Sequence, residues 1–263
     1  MALDPYGPCP CGSGKKFKWC CQPIYAGINR ALEQDANGQH EAALKTIDDV
    51  TREHAGNPEA WGQKAELLYA NGKAEEAEEA LGRAFALNAN YPYGLLLQAL
   101  FRFHEGEFGG ALLLARRAAA AYDPEAHDKL ARIYALIFEC EMKMNRPVAA
   151  HAALRLAARY QPGDEEARAG LEAVFGKDSR LPEAARRDYA LLGPPGGAAG
   201  PRRAAWDRAL AGAASPRLAD VAGAFEALTG EDGADAPAWF NLGLARAWLG
   251  DNAGALEALD RYL

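Results

Sequence analysis

Four of the chain's five cysteines lie within "CPCGSGKKFKWCC", as Cys9-x-Cys11, eight residues, then Cys20-Cys21. Four thiolates can surround one Zn²⁺ tetrahedrally. For that, "GSGKKFKW" must reverse direction, and Gly12, Ser13 and Gly14 supply the backbone freedom while Gly7 and Pro8 shape the approach. Disulfides fit poorly: Cys9–Cys11 would close a very small ring and Cys20–Cys21 a strained vicinal bridge. Four protein thiolates leave no position for water or substrate, so such a zinc is structural rather than catalytic. A unit of some 20 residues buries too little surface to fold unaided. Metal binding, on the order of 10 kcal/mol or more in small zinc peptides, supplies the folding energy. In a different reading, a thiol redox or metal-transfer module, the vicinal Cys20-Cys21 pair would release zinc under mild oxidant.

Between the cysteine pairs stand Lys15, Lys16 and Lys18, beside Phe17 and Trp19. Two roles are open. The lysines could balance the anionic cluster and hydrogen-bond its sulfurs, or Lys15 to Trp19 could form a basic-aromatic surface for a partner such as ribosomal RNA or an acidic protein tail.

The pattern C-x-C-x8-C-C, with Gly-Ser-Gly after the second cysteine and a Lys/Phe-rich middle, resembles the SEC-C motif. This is the small zinc-binding domain at the C-terminus of the SecA translocase ATPase, and an accessory of many bacterial proteins. The resemblance implies structural zinc at Cys9, Cys11, Cys20 and Cys21 and a docking role; in SecA the domain contacts the chaperone SecB and the ribosome. Here the motif is N-terminal and no Gly-x4-Gly-Lys-[Ser/Thr] occurs, so the translocase function does not transfer.

No other residues assemble chemistry. Cys140, in the apolar "YALIFECEMKM", reads as a core thiol. His40-Glu41 and His104-Glu105 lack the returning histidine of a zincin, and no Gly-x-Ser-x-Gly or dinucleotide turn is present. The chain is expected not to be an enzyme.

The elements behind the cluster follow from composition and period. Of the 263 residues 49% are hydrophobic and 25% charged, enough apolar content for a real core. The net charge of −7 disfavours bulk attraction to nucleic acid, leaving only the local Lys-rich loop. Beyond Ile24 the chain is rich in Ala, Leu and Glu at helical spacing. Gly38, Gly72 and Gly106 recur every 34 residues, each followed five residues on by Ala43, Ala77 or Ala111, and seven further by Val50, Ala84 or Ala118. This predicts helix-turn-helix units: glycine ends the first helix and a small residue lets the second approach.

The period and residues resemble tetratricopeptide repeats, most specifically at Trp61 and at Trp239, Leu242, Gly243, Gly250, Ala255 and Leu259, with Arg246 in the aromatic slot. The expected fold is all-α: a TPR-like helical-repeat solenoid with a small N-terminal zinc knuckle. The motif occupies 1–23 and repeats occupy about 24–57, 58–91, 92–125 and, after a five-residue insertion, 131–164, where Asn145 replaces the glycine. Irregular helices and a Gly/Pro linker fill 165–201, and a helical segment, 202–263, ends in a repeat at 236–263 that looks truncated. "ALEALDRYL" is half apolar, so the chain is expected to continue beyond Leu263 or to meet a partner there.

In this repeat family the first helix of each unit lines a groove, which implies Tyr25, Ile28 and Leu32, then Glu66 and Tyr69, then Tyr93, Leu96, Leu100 and Phe103. These suit an apolar or aromatic-anchored peptide or helix, or else they pack between helices. Trp61 and Trp239 read as core. No apolar leader or run long enough for a membrane span is visible, and the expected compartment is the reducing cytoplasm. The functional expectation is a non-catalytic scaffold, its knuckle docking one partner, with ribosome or chaperone implied by the resemblance, and its array holding another. The alternative is an accessory region of a larger enzyme or of a secretion- or translation-associated factor, with chemistry outside this chain.

Overall fold

The structure is a computed structural model describing residues 4–212 and 218–263, the side chains at 166 and 167 excepted. Among the described residues it is all-α, with fourteen α-helices, a short 3₁₀ turn at Phe17–Trp19 and no strand. The chain divides into two compact units, 1–123 and 124–263.

In the first unit three antiparallel pairs follow one another: α1 (Gln22–Ala36) with α2 (His40–Glu53), α3 (Pro58–Ala70) with α4 (Ala74–Leu87), and α5 (Pro92–His104) with α6 (Phe108–Ala121). The recurring glycines do one defined job at the turns. Gly38, Gly72 and Gly106 have φ of 75°, 75° and 81°, which L side chains adopt only at a cost. Each donates its N–H to the carbonyl three residues back, at 2.9–3.0 Å, and the next residue donates to the carbonyl five residues back, at 2.8–2.9 Å. These two bonds are the Schellman closure that satisfies the last carbonyls of a helix. Ala43, Ala77 and Ala111 are fully buried where the paired helices cross.

The second unit opens on the pair α7 (His127–Lys143) and α8 (Pro147–Tyr160). Its turn is closed by the same two bonds, with Asn145 at φ 56° standing where the glycine would be. The residues read as an insertion are largely absorbed by lengthening α7, which has 17 residues against 13 in α3 and α5. Then α9 (Glu165–Phe175) and the one-turn α10 (Glu183–Arg186) pack on α8. No regular element follows until α11 (Gly200–Gly212). The hairpin of α11 and α12 (Leu218–Glu231) leads into α13 (Ala236–Trp248) and α14 (Asn252–Tyr262), whose turn at Gly250 is again a Schellman closure. Residues 213–217, inside the segment 202–263 read from sequence as helical, lie outside the described residues. Helix α13 packs against α12, α14 and α8.

Trp61 and Trp239 are half-buried and pack against the edges of their cores. Their indole N–H groups donate to the carbonyls of Ala55 and Gly233, six residues back in each case, at 2.8 and 2.9 Å. Each ring carries an arginine 22 residues later on its face, Arg83 at 5.2 Å and Arg261 at 5.9 Å.

Candidate metal centre and its surface

The cysteine segment is a small hairpin. Cys9 N–H donates to Lys15 C=O at 2.8 Å, Phe17 N–H to Gly7 C=O at 3.0 Å and Lys18 N–H to Pro5 C=O at 2.8 Å. Gly12 and Gly14, at φ 73° and 71°, turn the chain at the tip, inside the Cys9–Lys15 rung. The reversal brings all four Sγ atoms within 4.8 Å of one another, a group that could hold a metal ion. Cys9–Cys11, Cys11–Cys20 and Cys20–Cys21 are 3.4, 3.5 and 3.9 Å apart. A tetrahedron with sulfur about 2.3 Å from a central ion has edges of about 3.8 Å, so the donor set fits such an ion. Cys9, Cys11 and Cys21 are buried and Cys20 is half-exposed.

The sulfurs are strongly polarised by one another. Hydrogen bonds from Cys21, then Cys9 and Ser13, hold the Cys11 thiol down to about 2. The bond to Cys11 pushes Cys9 up to about 12, and the same contact drives Cys21 upward. Thiols this close cannot all ionise without a cation between them.

The residues that finish the cage come from the repeats. Asn57, at the start of α3, donates its amide to Cys20 C=O at 3.2 Å and to Cys21 Sγ at 3.7 Å, while its Oδ1 accepts from Glu59 N–H at 3.0 Å and caps the helix. Asn88, between α4 and α5, donates to Cys11 C=O at 3.2 Å. A side-chain carbon at Gly12 would stand 3.1 Å from Pro92 Cδ, so the cysteine loop lies directly on the start of α5. Cys9, Cys11, Phe17 and Cys21 belong to one core with Ile24, Ile28, Ile47, Val50 and Tyr91. Beneath it Tyr91 Oη donates to the buried Glu59 at 3.0 Å, and burial raises the Glu59 carboxyl above its ordinary range. Neither asparagine is legible as a site residue in the sequence; the signal is only that Asn57 precedes a helix-starting proline.

The structure buries three residues that the sequence offered to partners. Phe17, expected on the partner surface, is only 6% exposed and its ring meets Tyr25 edge-on at 5.0 Å, because the 3₁₀ turn points it inward. Leu96 is not open to a groove: it is 3% exposed, on a helix buried around most of its circumference at Leu95, Leu97, Ala99 and Phe101. Ile28 is likewise core, whereas Leu32 is exposed. Tyr69, Leu100 and Phe103 are half-buried; Tyr69 stacks on Phe101 at 3.8 Å and bonds His104 at 3.3 Å.

Lys15, Lys16, Lys18 and Trp19 are exposed. Lys16 and Lys18 lie on aromatic rings: Lys16 Nζ is 5.7 Å from the Trp19 ring and 5.8 Å from that of Tyr6, and Lys18 Nζ donates to Tyr6 Oη at 3.0 Å. The polar side chains meeting sulfur are instead Ser13, 3.1 Å from Cys20, and Asn57. Tyr6, which sequence reading missed, is 55% exposed and meets the 64%-exposed Trp19 edge-on at 6.0 Å. The hairpin alone brings these two together across 13 residues.

Comparison with known proteins agrees with this layout. Residues 8–23 match the SEC-C motif family and residues 36–101 the tetratricopeptide repeat family. The chain thus carries a SEC-C motif followed by tetratricopeptide repeats. A UPF0225 protein from Deinococcus radiodurans is 37% identical over 46 residues, 18% of this chain, and the match spans 35% of that relative's length. Among solved structures, PilW, a type IV pilus biogenesis factor, aligns over 90% of each chain with a TM-score of 0.51 at 15% identity, a likeness of fold alone. Pseudomonas aeruginosa pilF aligns over 89% of this chain and 87% of its own, with a TM-score of 0.49 at 12% identity. No helix among the described residues is long and apolar enough to cross a membrane.

Proposed function

We propose that the protein is a non-catalytic, zinc-binding interaction scaffold working in a reducing compartment. Zinc is held by Cys9, Cys11, Cys20 and Cys21, and one partner docks on the exposed patch of Lys15, Lys16, Lys18 and Trp19, extended by Tyr6. The repeats hold a second protein, with Tyr69, Leu100 and Phe103 offered by the first unit. The observation that carries this reading is the sulfur cage itself, four thiols at tetrahedral spacing inside the core of the first repeats. Bound zinc would close the hairpin, and all four of its positions would be taken by protein sulfur, leaving nothing for a substrate. Lysines resting on two exposed rings form a cationic, aromatic surface suited to an acidic protein segment.

Metal analysis of purified protein should give about one zinc per chain. A Cys11→Ser or Cys21→Ser variant that stays metal-loaded and folded would sink the site assignment. For the surface, Lys16→Glu with Trp19→Ala should keep its zinc and helicity yet lose a partner that wild type retains in a direct binding assay; unchanged binding would reject it.

A further inference from the structure

Between α10 and α11 the chain runs from 187 to 199 without regular structure, through "RDYALLGPPGGAA". Midway it is held by a single side chain. Leu192 N–H donates to Asn241 Oδ1 at 2.7 Å, and Asn241 Nδ2 donates back to Leu192 C=O at 2.9 Å. Asn241 lies on α13 and is fully buried. An extended residue turns its N–H and C=O to the same side, so one carboxamide can pair with both, as a neighbouring strand would. This grip reads backbone only, so any extended segment offers the same pair.

The rest of the contact is also peptide-like. Leu191 packs among Trp206, Val221, Phe225, Leu228 and Leu242. Leu192 is 36% exposed. Four residues earlier, Asp188 pairs with the exposed Arg155 at 2.6 Å and lies 3.8 Å from His151, both on α8. Exposed pairs of this kind are weak and screened by salt. Beyond the leucines, Gly193-Pro194-Pro195-Gly196-Gly197 forms a tether with few local preferences for helix or strand.

We infer that the Asn241 face of α13 is a binding site for an extended peptide carrying an acidic residue followed by a leucine pair, and that residues 188–195 occupy it in cis. A partner segment of that kind gains access by displacing this strap. The inference rests on the scaffold reading but involves none of the knuckle residues, so each can fail alone.

The test uses the full chain and a fluorescein-labelled peptide of residues 187–195, followed by fluorescence anisotropy. Leu192→Pro removes the strap's N–H donor and Leu191→Ser its apolar anchor. The doubly substituted chain is expected to bind the peptide at least tenfold more tightly than wild type. Adding Asn241→Ala should remove that gain. Asn241→Asp, which keeps the shape but replaces the donor to the carbonyl with an acceptor, should remove it too. Equal binding by the opened and wild-type chains would overturn the inference, as would a gain that survives both Asn241 substitutions. Loss of helical circular dichroism on opening would also overturn it, because the strap would then be part of the core rather than an occupant.

Discussion

The two units use the same helix pair in opposite ways. In the first, three pairs follow at regular spacing and the non-helical segment, the cysteine hairpin, precedes them. In the second, one pair is followed by two short helices, a strap and two further hairpins. In each, an asparagine carboxamide ties the irregular segment to a helix: Asn57 to the Cys20-Cys21 backbone and sulfur, Asn241 to Leu192. The difference lies in what else holds the segment. The hairpin contributes three sulfurs and a phenyl ring to the core, whereas the strap contributes one half-buried leucine to its cluster. A segment built into a core stabilises it, and one laid on a surface can leave.

Removing the metal should break this comparison most visibly. Chelation is expected to expose the amides of 4–123 to hydrogen exchange by orders of magnitude while those of the second unit change little. Four buried or half-buried thiols without a cation cannot keep the hairpin closed, and Phe17 leaves the core with it. Equal effects on both units, or none on the first, would show that the hairpin is an appendage.

Asn57→Ala should cost about 1–2 kcal/mol in the first unit, since a helix cap and two hydrogen bonds go together. Asn88→Ala, which loses the single bond to Cys11 C=O and a local turn bond to Asn90, should cost less. Urea unfolding of the zinc-loaded variants measures both, and the reverse order would mean that the knuckle rests mainly on the start of α5.

At the turns, Gly72→Ala is expected to destabilise by about 1 kcal/mol, because φ 75° crowds a side-chain carbon. Asn145→Gly, in the same Schellman position, should be neutral or slightly stabilising in a urea titration.

The smallest effect concerns Glu59. Burial raises its carboxyl in the folded state, so its contribution to stability is full below the ordinary carboxylate range and is lost as pH rises through the raised value. Glu59→Gln keeps a partner for Tyr91 without the charge. The melting temperature of the variant minus that of wild type should therefore grow with rising pH; a difference that shrinks would reverse the assignment.

Much of this was legible in the sequence, for identifiable reasons. Glycine at φ near 75° and alanine at a helix crossing are local necessities, so Gly38, Gly72, Gly106, Ala43, Ala77 and Ala111 announce the repeat without knowledge of neighbours. The four cysteines announce a sulfur cluster that could hold a metal ion, because their spacing leaves few other arrangements. What stayed hidden depends on distant contacts. The inward turn of Phe17 is set by Tyr25 and the repeat core, and the burial of Leu96 by helices on several sides of α5. Asn57 and Asn241 look like ordinary turn and helix residues until the chain 37 or 49 positions away is placed against them. The strap hides for the same reason: "GPPGG" advertises a loop and nothing in it names α13.

The reach from Asn88 to Cys11 also sets a clock. The two are 77 residues apart, so a ribosome adding about 5–20 residues per second makes the cysteines roughly 4–15 s before the asparagine that braces their loop. During that interval the four thiols belong to a nascent chain without its backing, open to any oxidant or competing metal nearby. Thiol labelling of ribosome-arrested chains should be fast when synthesis stops soon after α1 and should fall sharply once α5 has emerged; equal labelling at both lengths would mean that the hairpin closes by itself.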